Sequence, residues 1–233
     1  MESTHPENKN SWLDAFANIR ADREAALRQY RERAATYDLE LNFLEPVRRR
    51  AISRLWLRRG TIVVDVACGT GLSFRSLSRQ VGSKGRVIGI EQSAEMLERA
   101  AERIRTNDLQ NVTLIHAPVE HARIPVIADA ALLHFAHDVM RTPAAIGNVL
   151  NSVKPGGRVV AAGLKWAPPW KMPVNMAVFF AAMRSLTAFE GLRHPWSYLE
   201  PSLTQFDVES LLSDGVYIAS GFKNAASRSL IDQ

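Results

Sequence analysis

Two acids and two glycines are the first residues in this chain whose types and spacing can do chemistry. In "VVDVACGTGLSF", residues 63–74, Asp65 stands four positions before Gly69, and Gly71 follows. Glycine removes the side chain, reaches left-handed backbone angles and lets a ligand approach the main chain. A second acid, Glu91, closes the next apolar run, "GRVIGIE". A carboxylate at that place suits bidentate hydrogen bonding to ribose hydroxyls. A dinucleotide loop would need a third glycine where Phe74 stands, and a Walker loop would need a Gly-Lys-Ser/Thr that is absent. The set suits a nucleoside without a pyrophosphate. The lone cysteine, Cys68, reads as a small packing residue rather than a nucleophile, and it excludes a disulfide framework or a multi-cysteine zinc site.

Bringing these residues to one edge requires a layered α/β fold. The runs "TIVVDVAC" (61–68), "GRVIGIE" (85–91), "NVTLIHA" (111–117), "ADAALLHFA" (128–136) and "GRVVAAGLKW" (157–166) read as buried strands. Between them "LSFRSLSRQVG", "SAEMLERAAERIRTN" with Ser93 as N-cap, and "PAAIGNVLNSV" read as helices. That alternation gives a doubly wound, mostly parallel sheet. An Asp-Gly pair between "FDVESLL" and "VYIASGF" predicts a closing antiparallel hairpin. Ahead of the sheet, Trp12, Phe16, Ile19, Ala26 and Tyr30 recur at helical spacing over residues 11–34, and a second helix is expected at about 42–58. The 233 residues read as one domain: an N-terminal helical lid (1–58), a core (59–166), a Pro- and aromatic-rich cap (167–200) and a C-terminal hairpin (201–233).

"VVDVACGTG", followed by "VIGIEQSAEML" and then "VKPGGRVV", resembles the class I S-adenosylmethionine-dependent methyltransferases, in particular their UbiE-like, small-molecule branch. The resemblance covers about residues 37–165 and implies a Rossmann-like sheet of seven strands whose last strand runs antiparallel. It implies that Asp65 organises the turn and receives the methionine ammonium, directly or through water. Gly69 and Gly71, with Ala67 in the same turn, would let the backbone meet the methionine and ribose. Glu91 would hold the ribose hydroxyls, Gln92 and Met96 would lie beside the adenine, and the Val119 amide would meet its ring. Pro118 stands where relatives often place an Asp for the adenine amino group, with Glu120 as a substitute. Tyr30 and Tyr37 flank "YRERAATYDLE", where relatives often set a Tyr over the cofactor.

Displacement of a methyl group from a sulfonium needs orientation more than acid–base machinery. The fourth strand ends in His134, Phe135, Ala136 and His137, not in the Asn/Asp-Pro-Pro-Tyr-like tetrapeptide of amino-methyltransferases that act on DNA adenine or protein glutamine. His134 and His137, three apart at the expected mouth, are candidates to bind substrate or take a proton, with Tyr37 and Asn175 as further catalytic candidates. Two histidines without a third ligand give thin support for a metal, and none is expected. Trp166, Trp170, Phe179, Phe180, Trp196 and Tyr198 are candidates for an aromatic wall around the sulfonium.

The net charge of +5 lies mainly on helical stretches such as "EPVRRRAISRLWLRRG" and reads as a solvated face, since no nucleic-acid motif accompanies it. No run reaches membrane-spanning length, and the lone cysteine fits a reducing cytoplasm. A soluble cytoplasmic monomer or homodimer is expected. The leading function is methyl transfer to a small-molecule acceptor, as in secondary metabolism or cofactor synthesis, with S-adenosylhomocysteine released. A second is cyclisation of the cofactor by its own amino nitrogen, giving azetidine-2-carboxylate and methylthioadenosine as in the azetidine-2-carboxylate synthases. The third is a non-catalytic binding subunit.

Overall fold

The structure, a computed structural model, describes residues 44–185 and 189–225. The helix expected over 11–34, and with it Tyr30 and Tyr37, lies outside the described residues. The described chain runs α1 (Glu45–Arg54), β1 (Ile62–Val66), α2 (Phe74–Val81), β2 (Arg86–Glu91), α3 (Ala94–Thr106), β3 (Val112–His116) and β4 (Ala128–His134). It continues with α4 (His137–Met140), α5 (Pro143–Ser152), β5 (Val153–Leu164), α6 (Met172–Ser185), β6 (Leu203–Leu211) and β7 (Val216–Lys223). The expected strands form, although β5 starts earlier than its glycine pair suggests, and its register against β4 shifts between Ala128 and Ala130.

One sheet carries all seven strands in the order β3-β2-β1-β4-β5-β7-β6. The pairs from β3 through β5 are parallel, and β7 runs antiparallel to both β5 and β6. The order reverses at β1, which has β2 on one side and β4 on the other, so the crevice beyond its carboxyl end is the place where such sheets bind ligands. Side chains alternate between two cores. Val64, Val66, Leu133 and Tyr217 face α5, whereas Val63, Leu132, Val160 and Ile218 face α1 and α2. Burial on both faces explains why the parallel strands read as unbroken apolar runs.

The basic run around α1 is not a uniformly solvated face. Arg50 and Arg54 pair with Glu209 at 2.5 Å, Arg54 also reaches Asp207, and Arg48 is only 4% exposed. These ion pairs clasp α1 to β6 and hold Arg48 beneath the sheet's carboxyl edge. The hairpin forms where Asp-Gly predicts it, but Leu212, Ser213 and Asp214 take the positive φ angles while Gly215 has φ −78°. Lys171 at the start of the cap pairs with Asp214 at 2.6 Å, tying α6 to that turn.

Candidate functional site

The turn after β1 is built from alternating left-handed residues: Ala67 (φ 52°), Gly69 (φ 55°) and Gly71 (φ 76°). Gly71 N–H donates to the Cys68 carbonyl at 2.9 Å and Phe74 N–H to the Gly71 carbonyl at 3.0 Å, which turns the chain into α2. The two glycines do different work. A Cβ on Gly71 would lie 2.5 Å from the buried Phe74 ring, so that glycine is required by packing. A Cβ on Gly69 would meet nothing within 4 Å, so its open side faces space for a ligand. Arg103 Nε donates to the Thr70 carbonyl at 2.9 Å and pins the turn from α3.

Glu91 at the end of β2 is anchored to this turn. Its Oε2 accepts Gly69 N–H at 3.0 Å, and its Oε1 accepts Gln92 N–H at 2.9 Å and Ser93 N–H at 2.8 Å. Burial pushes its pKa up, while these N–H donors pull it back down. A carboxylate has about four lone-pair sites, so it can still accept from a ligand hydroxyl. Gln92 and Met96 lie directly beyond it; Ser93 caps α3 by accepting Met96 N–H at 3.3 Å, as its sequence position predicts. Val119 and Glu120 form a turn after β3 whose carbonyls at Val119 and Ala122 are taken by Asn148 Nδ2 at 2.6 and 2.9 Å.

Asp65 is 2% exposed, and its Oδ2 has no partner among the described residues. Burial raises its pKa to about 7, opposed by the Arg48 charge and reinforced by Glu91. Arg48 itself pairs with Glu45 one turn earlier. Its place in a basic run reads as solvated, but 44, 47, 48, 51, 52 and 55 form one buried helical stripe that turns Arg48 inward. An orphaned buried carboxylate beside an open glycine backbone fits an ammonium group, and the arginine beside it fits a carboxylate, which together describe an amino-acid zwitterion.

The two candidate histidines separate. His134 ends β4 on the α1 face, with Nε2 buried and unpartnered among the described residues. Burial, and secondarily Arg48, push its pKa down to about 3, so its ring is neutral and a poor proton acceptor near pH 7. His137 instead opens α4, and its Nε2 lies 3.1 Å from the Glu190 carbonyl of the cap. Between them Phe135 takes φ 56° and donates its N–H to the Ala162 carbonyl at 2.7 Å. This left-handed step cancels any shared face that the three-residue spacing suggests. Phe135 and His137 line a small recess with Ala162, Gly163, Leu164 and Tyr217.

Asn175, a catalytic candidate from the sequence, latches the backbone of the cap's entrance. Its Oδ1 accepts Ala167 N–H at 2.9 Å, and its Nδ2 donates to the Ala167 and Pro168 carbonyls, each at 3.3 Å. The aromatic cap forms in part: Trp166 stacks on Phe189 (6.4 Å) and Phe189 on Phe179 (5.2 Å), while Trp196 packs 5.1 Å from Tyr217. Trp170 is 79% exposed, and Phe180 and Tyr198 also face solvent, so these three build no wall among the described residues. Cys68 is half-buried with its thiol pKa pushed up by burial, in keeping with a packing role. Among the described residues no helix is long and apolar enough to cross a membrane.

Residues 63–157 match the family described as "Methyltransferase domain". The demethylmenaquinone methyltransferase of Staphylococcus aureus is 28% identical over 229 residues, covering 92% of this chain and 91% of that protein. That of Shouchella clausii is 25% identical over 192 residues, covering 78% and 79%. Among solved structures, an S-adenosylmethionine-dependent methyltransferase from Aquifex aeolicus aligns with a TM-score of 0.54 at 18% identity, covering 76% of this chain and 89% of that one. The cyclase SpnF aligns with a TM-score of 0.52 at 16% identity, covering 78% and 82%. The structural likenesses establish the fold alone. The reaction follows from the family match and from relatives that align along most of the chain, which favour methyl transfer over cofactor cyclisation. Residues 63–157 thus form a methyltransferase domain, and with these relatives they support a class I S-adenosylmethionine-dependent methyltransferase that takes S-adenosylmethionine as cofactor, releases S-adenosylhomocysteine and methylates a small-molecule acceptor.

Proposed function

We propose that the cofactor lies across the β1 and β2 ends and that the acceptor is an oxygen-bearing aromatic ring of quinol type. The observation that carries the cofactor half is the orphaned Asp65 carboxylate next to the open side of Gly69. Asp65 takes the methionine ammonium and Arg48 its carboxylate. Glu91 uses its remaining acceptor capacity on the ribose hydroxyls, and Gln92, Met96, Val119 and Glu120 border the adenine. The sulfonium supplies a methyl group that is already activated.

The acceptor half draws on the names of the sequence relatives, which act on demethylmenaquinone, and on the apolar recess beyond β4 and β5. Phe135 and Leu164 border it, and the neighbouring cap residues, held by Asn175 and by the Arg141–Glu190 pair, are the segment that would cover it when the acceptor is bound. In the transfer the bond from sulfur to the methyl carbon breaks, a bond from the methyl carbon to the acceptor forms, and the acceptor loses a proton. His137 at the recess is placed to receive that proton; His134, held neutral with its low pKa, orients rather than titrates.

The test is incubation of the full chain with S-adenosylmethionine and a reduced short-chain demethylmenaquinone, with products identified by mass spectrometry. Equal amounts of S-adenosylhomocysteine and methylated quinol are expected. Methylthioadenosine without a methylated product would refute methyl transfer, and turnover only with acceptors lacking a ring oxygen would refute the acceptor class.

A further inference from the structure

The antiparallel strand that closes the sheet brings a tyrosine to the acceptor recess. Tyr217 lies at the start of β7 in register with Gly163 of β5, so it stands two strands beyond β4 and three beyond β1 and its glycine turn. It is 2% exposed, yet its hydroxyl makes no hydrogen bond among the described residues. The ring is held on its far side by Trp196, 5.1 Å away, and by the core against α5. The buried atoms without a partner among the described residues are Asp65 Oδ2, His134 Nε2 and Asn224 Oδ1, so the Tyr217 oxygen is not sealed in the core but opens onto the recess that the residue lines.

The recess is shaped to leave that hydroxyl approachable. Gly163 and Ala162 make its floor, and a Cβ on Gly163 would come within 3.3 Å of the Tyr217 ring and 3.5 Å of its oxygen. Phe135, on a left-handed backbone that costs energy to hold, makes another wall. With a volume of about 10 Å³ and only His137 and Tyr217 as polar lining residues, the recess admits one oxygen-sized group, such as the oxygen-bearing edge of a flat ring whose body lies outside it. Burial pushes the Tyr217 pKa up, so the group remains a neutral O–H that can donate.

We infer that the Tyr217 hydroxyl is the acceptor-selecting hydrogen-bond donor, gripping a ring oxygen of an aromatic acceptor above Gly163. The assignment rests on the proposed acceptor site, and it adds the residue that tells an oxygenated ring from a bare one. No sequence pattern flags it, because Tyr217 falls inside a run, "VYIASGF", that reads as ordinary strand.

The experiment uses the full chain saturated with S-adenosylhomocysteine and two probes, 1,4-dihydroxynaphthalene and naphthalene, with affinities from calorimetry. Wild type is expected to prefer the dihydroxy probe by about tenfold, the net effect of one hydrogen bond. Tyr217→Phe is expected to abolish most of that preference, leaving naphthalene and S-adenosylhomocysteine affinities within about twofold and thermal stability nearly unchanged, since the ring is kept and no hydrogen bond within the described residues is lost. Gly163→Ala, which crowds the same oxygen, is expected to weaken the dihydroxy probe with Tyr217 intact. No preference in wild type, or an undiminished preference in Tyr217→Phe, would overturn the assignment. Loss of S-adenosylhomocysteine binding in wild type would sink it together with the cofactor site. The Tyr217-dependent preference without any methylated product would support the assignment while striking the proposed acceptor.

Discussion

The Gly69 N–H donates to Glu91 Oε2 at 3.0 Å, so the turn after β1 and the acid that ends β2 form one hydrogen-bonded unit. The other carboxylate oxygen collects the N–H groups of Gln92 and Ser93. The acid that the family resemblance implies for the ribose is thus also the brace of the glycine turn. On the proposed cofactor site, ligand affinity and local stability are therefore expected to be coupled through one side chain.

Glu91→Gln tests that coupling. An amide has one acceptor oxygen, so if it serves Gln92 and Ser93, its NH₂ group faces the Gly69 N–H and one donor opposes another. The expected cost is about 1–3 kcal/mol of unfolding free energy in urea. S-adenosylhomocysteine affinity is expected to fall by at least about tenfold in calorimetry. A variant with lowered affinity and unchanged stability would show that Glu91 serves the ligand without bracing the turn.

Gly69→Ala and Gly71→Ala should part company. At Gly69 the added Cβ meets nothing, and the cost is the left-handed backbone at φ 55°, about 1–2 kcal/mol. The variant is expected to fold and to bind S-adenosylhomocysteine at least about a hundredfold more weakly, because the new methyl occupies the ligand's side of the turn. At Gly71 the Cβ overlaps the Phe74 ring, which is fully buried between α2 and the sheet. That variant is expected to lose several kcal/mol or fail to accumulate. Circular dichroism melts alongside calorimetry separate the two outcomes, and equal behaviour would refute the division of labour.

The placement of Asp65, Gly69, Gly71 and Glu91 at strand ends and in the turn between β1 and α2 was legible because apolar strand runs and the glycine spacing mark where the strands stop. Ser93 was legible as an N-cap for a similarly local reason. Arg48 was hidden by its neighbours: Arg49 and Arg50 make a basic run, and only the helical stripe with Val47, Ala51 and Ile52 turns one of the three inward. His134 and His137 look paired at spacing three, but the left-handed step at Phe135 lies between them. Asn175 reads as a buried amide in need of a partner, and the partner is the backbone of Ala167 and Pro168, which no side-chain pattern announces. Tyr217 depends on the β5–β7 register, a long-range pairing that a local reading of the strand does not contain.

Asn175→Ala should loosen the cap without touching the cofactor. Three hydrogen bonds to the Ala167–Pro168 backbone disappear, leaving one N–H and two carbonyls to find water. If the cap closes the acceptor recess, the acceptor KM rises about three- to tenfold, with kcat falling less and S-adenosylhomocysteine affinity within about twofold. An equal loss of kcat at unchanged KM would instead mark Asn175 as a participant in the chemistry.

Asp65 gives the protein a pH dependence whose sign follows from its burial. Its folded pKa is raised to about 7, mainly by desolvation, against about 3.9 for an unfolded Asp. Between those values the folded state keeps a proton that the unfolded state has released. Stability therefore falls as pH rises from about 4 to 7, and this group adds no further slope above that window. Asp65→Asn is expected to flatten the slope and to be more stable than wild type at pH 8, by at most about 4 kcal/mol. The burial of Glu91 tilts stability in the same direction, so the difference between the two proteins, not the wild-type slope, isolates Asp65. An ammonium seated on Asp65 favours the carboxylate, so binding must expel the proton it holds below pH 7. Calorimetry of S-adenosylhomocysteine binding in buffers of different ionisation enthalpy should show up to one proton released at pH 6, with affinity rising up to about tenfold per pH unit from 5.5 to 7. In Asp65→Asn both effects should vanish. Proton-neutral binding in wild type would mean that the ligand's ammonium sits elsewhere and that the buried carboxyl serves the fold.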